Sequence, residues 1–571
     1  MAIFYTFDNA ALWIIAMLHF LIIKKLFLVD IALYNIRKSN YMERPIMIFF
    51  INESMPANKS GIEHAELKRI NLFKKMHQPA KLILRDYDSQ THYLTNLAHL
   101  NDDDVINMFD YFQQTMQVES KQLTAKDINF GIDNLKLVED FTNNRYLVQK
   151  PNHQLVARIN IDMSTKQVKS TELFDAVGNL YCVNQYDVRG FLSCRQWYTT
   201  DNKIGTEEWV NLDNQTVLQH FYKYNVRQEL KDSNWVLTDK QQTFFFDTKE
   251  LLTKHFLDDI NDQYFSEKEP NIFILDRNHL ADWALLHLKR PAYRVIHLHN
   301  SQTVDSNDPL HSALNQHYEY SLQHMDEYDA FISATHKQNQ DVKTRFKPKA
   351  QLFTIPVGIV PDKLLNAPKI PINERTFGKM VVFARIAYEK HLDDLVRAIA
   401  MVHKVIPQIT LDIYGYADPS NDYQAKKAVQ KVIAENHLEK VVSFKGYTNQ
   451  IDEVENKAMM YGLTSRMEGF NLAIMEGIAH GLIGFTYDVN YGPNEIIQDG
   501  RNGRVVPNHD YKAMAQAIID VLRDKKLAQQ YSTGAYESAQ RYSDEQVWQD
   551  WQALINDAQQ KWPQLKAKGD E

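Results

Sequence analysis

The sequence contains little cysteine, no long uninterrupted apolar run, no internal repeat and no low-complexity segment. Cys182 and Cys194 are the only cysteines in 571 residues. They lack metal-ligand spacing and are too few for a disulfide framework. This scarcity fits a protein of the reducing cytoplasm, and it gives no reason to expect a bound metal ion.

Length and charge limit the possible functions further. A chain of 571 residues predicts two or three domains. Its 44% hydrophobic and 24% charged residues are typical of a globular protein in water. The net charge of −8 argues against bulk electrostatic attraction to nucleic acid, so we expect no nucleic-acid partner.

The N-terminal residues 1–44 form an apolar extension that fits no standard targeting segment. Residues 10–23 are mostly apolar, but Lys24 and Lys25 interrupt them, and a membrane span needs roughly 20 apolar residues. No basic region precedes the stretch and no small-residue cleavage site follows, which disfavours a signal peptide. Two explanations stay open: an interfacial helix that touches the inner face of a membrane, or a dispensable extension before a true start at Met42 or Met47.

An α/β pattern begins directly after this extension. Residues 46–51 are continuously apolar, as in a buried parallel strand, and are followed by a predicted helix over 62–77 and a strand over 81–85. Gly61 lies at the first turn of this βαβ unit, where doubly wound sheets bind ligands. We expect either close backbone approach to a ligand at Gly61 or a simple helix entry. Further strands are predicted at 271–276, 294–299, 330–333, 379–383, 411–415 and 441–444.

Between residues 115 and 245 the pattern changes to short alternating runs separated by turn residues, which predicts an antiparallel β-meander. The meander would interrupt an N-terminal Rossmann-like domain. The predicted segments are 45–114 and 246–360 for the two parts of that domain, 375–542 for a second Rossmann-like domain, and 543–571 for a C-terminal helix that crosses back onto the first domain.

The segment 465–476 combines two carboxylates with a tight turn before an apolar helix. Gly469 permits the turn and close approach of a ligand to the backbone. The amides of Phe470, Asn471 and Leu472 would then be free at a helix N-terminus, which favours a phosphate. Glu468 beside that site makes sense if it accepts hydrogen bonds from hydroxyl groups, although a solvated glutamate at a helix start is the simpler alternative.

Glu468 and Glu476 form an E-x7-E pattern that resembles that of retaining GT-B glycosyltransferases of family 4. Residues 491–503 resemble that family's next loop and strand, and residues 383–391 resemble its Arg/Lys segment. Three motifs in this order carry the resemblance, which covers nearly everything from Met47 onward.

The resemblance implies an α/β fold of the GT-B class, in which two Rossmann-like domains face a cleft and the antiparallel β-meander is inserted in the N-terminal one. Such an insertion resembles that of the subgroup that glycosylates wall teichoic acids or serine-rich adhesins. In that subgroup it contributes to acceptor binding or oligomerisation, so a homotrimer through the β-meander is one expectation.

For the donor site, the resemblance implies that Arg385 and Lys390 hold the diphosphate of a UDP-sugar without a metal or another cofactor. Arginine can fork onto two phosphate oxygens, and lysine acts as a point charge. Glu468 would accept hydrogen bonds from the donor-sugar hydroxyls and Glu476 from those of the ribose.

The remaining expected site residues come from three other segments. The backbone at Gly446 lies where the family contacts the base, and Tyr491 belongs to a loop near the sugar. His299 matches a family histidine near the sugar and the acceptor. Gln302 stands where a second histidine is often found, so His297 competes with His299 for this role, and a buried core histidine is the alternative for either.

The first predicted helix also carries six basic or titratable residues. A basic face near the cleft would attract a polyanion such as poly(glycerol phosphate), although most such faces are merely solvated. Lys68 and Lys75 share one side of this helix. The six residues are His64, Lys68, Arg69, Lys74, Lys75 and His77.

Together these patterns predict a cytoplasmic, retaining hexosyltransferase that moves glucose from a UDP-sugar to the glycerol-phosphate repeat of teichoic acid. One alternative is an O-linked N-acetylglucosaminyltransferase that acts on serine-rich adhesins. An alternative from another class is a non-catalytic GT-B subunit that stabilises an active partner. The sequence does not determine the donor sugar, the acceptor or the oligomeric state.

Overall fold

The computed structural model describes residues 45–569. The predicted N-terminal extension, with its two explanations, lies outside the described residues. No helix between residues 45 and 569 has both the length and the apolar character needed to cross a membrane.

The first domain is built on a seven-stranded parallel sheet in the order β17-β16-β15-β14-β1-β2-β3. Its central strands are buried on both faces, as in β1, where Phe49 and Phe50 are fully buried on opposite sides of the sheet. The strands are β1 (Met47–Asn52), β2 (Ala80–Leu84), β3 (Val105–Asn107), β14 (Asn271–Leu275), β15 (Tyr293–Leu298), β16 (Ala330–Ser333) and β17 (Gln351–Thr354).

A ten-stranded antiparallel sheet is inserted between β3 and β14, with its strands paired in chain order. Trp209 and Trp235 from this sheet pack with Phe109 of the first domain in one hydrophobic cluster. The strands are β4 (Lys136–Asp140), β5 (Arg145–Gln149), β6 (Leu155–Ile161), β7 (Val168–Phe174), β8 (Leu180–Tyr186), β9 (Leu192–Tyr198), β10 (Ile204–Val210), β11 (Thr216–Tyr224), β12 (Leu230–Asp239) and β13 (Gln242–Phe246).

The second domain contains a six-stranded parallel sheet in the order β20-β19-β18-β21-β22-β23. Its core is a single large cluster dominated by aliphatic side chains. The strands are β18 (Lys379–Phe383), β19 (Thr410–Tyr414), β20 (Val442–Gly446), β21 (Met460–Leu463), β22 (Ile483–Tyr487) and β23 (Gly503–Val506).

Helices cover both faces of the two parallel sheets, as parallel strand order requires. They are α1 (Gly61–Lys75), α2 (Thr91–Leu97), α3 (Met108–Gln113), α4 (Lys249–Tyr264), α5 (Asp282–Leu286), α6 (Glu319–Gln323), α7 (His336–Phe346), α8 (Asp362–Leu365), α9 (Leu392–His403), α10 (Ser420–Glu435), α11 (Ile451–Lys457), α12 (Leu472–Ala479), α13 (Pro493–Ile496), α14 (Tyr511–Arg523), α15 (Lys525–Ala539) and α16 (Asp544–Gly569).

This architecture confirms the predicted α/β class with two parallel-sheet domains and an antiparallel insertion. The predicted strands over 330–333 and 379–383 have the observed bounds, and most other predicted ends differ by one or two residues, but the first strand of the meander begins at Lys136, well after the predicted start at 115. Helix α1, for example, was expected to reach His77 but ends at Lys75, because His77 adopts a left-handed conformation with φ of 55°. At its start, Ser60 and Glu63 form a capping box that fixes the first turn.

The C-terminal helix α16 packs against the first domain. The Trp551 ring meets those of Phe50 and Phe73 edge-on, with centroid distances of 5.9 and 5.4 Å. Val547 and Leu554 are buried in the same cluster. This helix therefore joins the end of the chain to the sheet on which the chain begins.

We expect Trp551→Ala to destabilise the first domain strongly. Trp551 is only 2% exposed, and removing a buried tryptophan side chain costs about 3–5 kcal/mol. Urea unfolding followed by circular dichroism measures the change. Trp197→Ala is the matched control because Trp197 is 40% exposed. Equal destabilisation by the two substitutions would contradict the docking of α16.

Candidate active site

The turn before α12 brings the main chains of the two domains into contact. A Cβ atom on Gly469 would lie 1.9 Å from the carbonyl oxygen of His299. Glycine is therefore required because the His299 backbone occupies the space that a side chain would need. We expected Gly469 to allow close approach of a ligand to the backbone, but the first domain occupies the space where its side chain would be.

The N-terminus of α12 keeps free amides, as expected. Asn471 is the N-cap, and its side-chain oxygen accepts a hydrogen bond from the amide of Ile474 at 3.0 Å. The amides of Phe470, Asn471 and Leu472 have no acceptor among residues 45–569. Free amides at the positive end of a helix dipole form an anion-binding position.

Lys390 and Glu468 form an ion pair beside this helix end, with 2.8 Å between Nζ and Oε1. Asn471 Nδ2 donates to the same glutamate oxygen at 3.1 Å. Glu468 is 8% exposed, so both groups of the pair are largely shielded from bulk water. A ligand that replaced one partner would meet a charge already held in position.

Arg385 lies in the same segment as Lys390, but its side chain is more exposed than that of Lys390. It pairs with Glu389 and with Asp418, the latter at 3.2 Å. Glu389 is also held through its main chain, because its carbonyl accepts a hydrogen bond from the amide of Arg466. Both cations of the predicted Arg/Lys segment are thus held by carboxylates.

Glu476 on α12 is paired with Lys68 on α1, across the cleft between the two domains. Both side chains are about three-quarters buried, so solvent screens the pair less than it would a surface pair. Lys68 was expected only as part of a basic face. Its contact with Glu476 places it directly at the predicted nucleotide site.

The other lysines of α1 are also compensated, which overturns the expectation of an uncompensated basic face. Lys74 pairs with Asp104. Lys75 pairs with Asp362 and Asp544 at 2.5 and 2.6 Å. Helix α1 therefore joins parts of the molecule together and does not offer a free row of positive charge.

Arg69 of α1 is buried and forms a bidentate ion pair with Asp276, which follows β14. Two histidines at the end of β15 share the same carboxylate. Oδ1 of Asp276 lies 3.1 Å from Nδ1 of His297 and 2.7 Å from Nε2 of His299. Because an ionised carboxylate only accepts hydrogen bonds, Nε2 of His299 must carry the proton, which leaves Nδ1 as an acceptor in the neutral ring.

The structure separates the two competing histidines. His297 is 1% exposed, and its buried Nε2 has no hydrogen-bond partner among residues 45–569. His299 is more accessible only as a whole residue, since its side chain is 4% exposed, and its main chain contacts Gly469 of the second domain. The geometry therefore favours His299 as the residue that faces the cleft and His297 as its buried neighbour.

Burial and neighbouring charges shift the titration of this cluster. Burial raises the pKa of Asp276, but the positive charge of Arg69 and the bonds from the histidines outweigh it and hold that pKa well below its usual range. Burial lowers the pKa of His297 to about 3. Burial and the negative charge of Asp276 raise the pKa of Glu66 well above its usual range.

Asp276, His297 and His299 have ligand atoms within 4.8 Å of one another, close enough for a metal ion. The Arg69 guanidinium already contacts this carboxylate through two nitrogens, one of them at 3.0 Å. This guanidinium engages both oxygens of Asp276, so a bidentate ion pair already compensates that charge. The group therefore fits a hydrogen-bonded support for His299 better than a metal centre.

The remaining predicted residues lie in different surroundings. Gly61 is the exposed first residue of α1, and apart from the adjoining backbone no atom of the described residues lies within 4 Å of the position of an added Cβ. Gly446 ends β20 and is equally open.

Tyr491, in contrast, is fully buried. Its hydroxyl accepts a hydrogen bond from Gln302 at 2.9 Å and donates one to Asp341 at 3.0 Å. The contact of Tyr491 with the turn before α12 is through the backbone, where the Tyr491 amide donates to the carbonyl of Glu468.

Sequence reasoning missed the polar residues that support the site from inside the first domain. Asn52 Nδ2 donates to Glu66 at 2.8 Å, and Arg277 donates to Glu63 at 2.7 Å. Asn52 and Asp276 stand at the carboxyl ends of neighbouring parallel strands, which is a signal that could have identified them. The charges of α1 gave no such signal, because charged helix residues usually face water.

Residues 367–538 match the family model of group 1 glycosyl transferases, and this segment contains Arg385, Lys390, Glu468 and Glu476. The molecule has the fold of GT-B glycosyltransferases. Its likeness to the crystal structure of the pneumococcal O-GlcNAc transferase GtfA with UDP and GlcNAc has a TM-score of 0.75 at 21% identity, over 90% of this chain and 99% of that one.

Two sequence relatives extend over most of the chain. The poly(glycerol-phosphate) alpha-glucosyltransferase of Bacillus subtilis is 24% identical over 92% of this chain and 77% of its own length. The UDP-N-acetylglucosamine–peptide N-acetylglucosaminyltransferase GtfA subunit of Streptococcus parasanguinis is 24% identical over 89% of this chain and 99% of its own length. The chain is thus related to glycosyltransferases along nearly its whole length.

We expect Glu66→Gln to change how stability depends on pH. The raised pKa of Glu66 means that the folded protein binds more protons than the unfolded chain above the ordinary glutamate pKa of 4.5. Stability is therefore lost as pH rises from 4.5 towards the folded pKa, and glutamine removes that loss while keeping an oxygen for Asn52. Free energies of unfolding between pH 5 and 8 measure the slope.

Glu63→Gln is the matched control on the same helix. Hydrogen bonds from Ser60 and Arg277 outweigh burial and lower the pKa of Glu63, so its contribution is present above 4.5 and is lost as pH falls through the folded pKa. This substitution should cost about 1–3 kcal/mol at pH 7, since it removes a hydrogen bond between charged groups. A pH slope in Glu66→Gln equal to that of the wild type would contradict the assignment.

Proposed function

We propose that this protein is a retaining hexosyltransferase that transfers glucose from UDP-glucose to the glycerol-phosphate repeat of teichoic acid. The observation that carries the proposal is the meeting of Lys390–Glu468, the free amides of α12 and His299 in one place. They meet where the carboxyl-side loops of two parallel sheets face each other, the usual position of ligands in such folds.

In this proposal, Lys390, Arg385 and the amides before Leu472 bind the diphosphate. As the bond to the sugar breaks, negative charge increases on the leaving phosphate. Fixed cations and amides stabilise that charge more in the transition state than in the ground state. The carboxylates now paired with Lys390 and Arg385 keep these cations oriented before the donor arrives.

The two glutamates of the E-x7-E pattern are proposed to bind hydroxyl groups. Glu468 accepts from the donor sugar and Glu476 from the ribose, because carboxylate oxygens accept hydrogen bonds only. For the ribose to reach Glu476, Lys68 must release or share that carboxylate. Donor binding therefore alters the contact between α1 and α12, in keeping with domain movement around a nucleotide.

His299 is proposed to bind the sugar or the incoming hydroxyl through Nδ1. Its other ring nitrogen is held by Asp276, which fixes the ring orientation. Retention is proposed to follow front-side attack at an oxocarbenium-like centre, with oxygens of the leaving phosphate assisting the incoming hydroxyl. The name of the Bacillus subtilis relative, an alpha-glucosyltransferase, fits a retaining reaction on a UDP-α-sugar.

A second candidate acceptor is the serine hydroxyl of a serine-rich adhesin, with N-acetylglucosamine as the sugar. The observation that favours it is the neutralised face of α1, where lysines 68, 74 and 75 all contact carboxylates. Without a free basic face, attraction of a polyanion has less support from this helix. The Streptococcus parasanguinis relative carries peptide glycosylation in its name.

Several further expectations belong to the proposal. The chain acts in the cytoplasm, where two free cysteines are stable, and the reaction needs no metal ion. A homotrimer through the β-meander and a peripheral membrane contact stay predictions. A non-catalytic role beside an active partner also stays a candidate, because the Streptococcus parasanguinis relative is itself named as a subunit.

UDP release from UDP-glucose by the purified protein, with and without poly(glycerol phosphate), tests the proposal. We expect strong stimulation by the polymer and a loss of at least about 100-fold in kcat for Glu468→Gln, since a lost transition-state contact costs this much. Glu453→Gln, at an exposed glutamate of α11, is the control and should behave as wild type.

The other outcomes of this assay discriminate between the candidates. Slow release that poly(glycerol phosphate) does not change, but that rises with UDP-N-acetylglucosamine and serine-rich peptides, would replace the first acceptor by the second. UDP binding without turnover of either donor would contradict both transferase proposals and favour the non-catalytic partner.

The two histidines should separate in the same assay. His299→Gln should lower kcat by about 10²–10⁴-fold if its Nδ1 acts on the reacting hydroxyl, while UDP affinity stays unchanged. His297→Gln should act mainly on stability, with a clear fall in melting temperature and only a small fall in kcat, because His297 is buried and packed. The reverse pattern would make His297 the functional histidine.

A further inference from the structure

A second group of metal-ligating side chains lies in the donor domain, outside the E-x7-E segment. His391, Asp394 and His509 have ligand atoms within 4.8 Å of one another. His391 and Asp394 lie at the start of α9, and His509 lies in the loop between β23 and α14. The group therefore links two segments that are far apart in sequence.

The distance between the first two ligand atoms fits a bound ion better than a hydrogen bond. Nδ1 of His391 is 3.3 Å from Oδ2 of Asp394. Within the described residues this nitrogen is nevertheless buried and has no hydrogen-bond partner. Two atoms that each lie about 2.0–2.1 Å from a tetrahedral Zn²⁺ are separated by roughly 3.3 Å.

The neighbouring groups hold the ligands as outer partners do in metal sites. Arg397 donates to the other oxygen of Asp394 at 2.7 Å, and the Tyr487 hydroxyl donates to Oδ2 at 3.0 Å. Asp393 Oδ1 lies 3.8 Å from the remaining ring nitrogen of His391. Oδ2 keeps a lone pair for an ion, since a carboxylate oxygen accepts more than one contact.

Charged groups of both signs surround these ligands. Asp393 and Asp394 contribute two negative charges, Arg397 contacts both carboxylates, and the positive charge of Arg466 also acts on His391. His509 is exposed, and its ring centroid is 5.1 Å from that of His391. A small rotation of this exposed ring would turn one of its nitrogens towards the ion.

We propose that His391, Asp394 and His509 bind one Zn²⁺ ion, with water as the fourth ligand. Two imidazoles and one carboxylate are ligands that Zn²⁺ accepts in a tetrahedral site. The ion would fasten the turn that carries Lys390 to the loop after β23. It thereby holds Lys390, whose Nζ contacts Glu468 at 2.8 Å, and it takes no part in the transfer reaction itself.

The test is zinc binding by the metal-stripped full chain, measured by isothermal titration calorimetry, with visible absorption of bound Co²⁺ as a report on tetrahedral geometry. The variants are His509→Asn and His391→Asn. Both histidines have a left-handed backbone, with φ of 63° and 48°, and asparagine tolerates that conformation. The matched control is His437→Asn, at an exposed histidine with φ of 55°.

We expect one Zn²⁺ per wild-type chain and a rise in melting temperature on binding. Each ligand variant should weaken binding by more than the roughly 10- to 100-fold that loss of an outer partner costs, while His437→Asn binds as wild type. Circular dichroism checks that the variants are folded. No zinc binding by the wild type, or equal affinity in His509→Asn and His437→Asn, would overturn the proposal.

Discussion

The buried ion pair between Arg69 and Asp276 is the interaction on which the part of the first domain that faces the proposed active site depends. Asp276 holds Arg69, His297 and His299 at once. A buried charge that loses its partner costs about 3–5 kcal/mol, because the remaining ion is left without water or a counter-charge. The position of His299 at the cleft is thus tied to the packing of helix α1 on the sheet.

Several contacts between the two domains lie directly at the proposed donor site. Lys68 on α1 contacts Glu476 on α12, and the backbone of Gly469 packs closely against the His299 carbonyl. Tyr491 contacts Gln302 and Asp341 of the first domain. Before a donor is bound, protein groups therefore satisfy the charges that the substrate would otherwise have to compensate.

Much of the fold could be predicted from the sequence, because apolar strands and turn residues are local signals. The continuous apolar run at β1 and the alternating runs of the meander both correspond to observed strands. The E-x7-E motif identified Glu468 and Glu476 for a similar reason. Both residues lie in one short segment, which consists of a turn and the helix that follows it.

The rest of the site could not be predicted because its contacts are between residues distant in sequence. Nothing near Lys68 shows that its partner is Glu476, 408 residues further on. The basic residues of α1 were read as a surface feature, since their carboxylate partners come from other elements. Asp276 was visible as the end of a strand, but only the paired strands β14 and β15 show that it supports two histidines.

The chain order of the buried charges has a consequence for synthesis on the ribosome. Arg69 emerges 207 residues before Asp276, and the whole β-meander is made between them. Strand β1 likewise must wait for its neighbour β14. The nascent first half of this domain therefore holds an unpaired arginine and an open apolar sheet edge for as long as the insertion is being translated. At about 5–20 residues per second this interval lasts roughly 10–40 s, long enough for a chaperone to bind and for the meander to fold first.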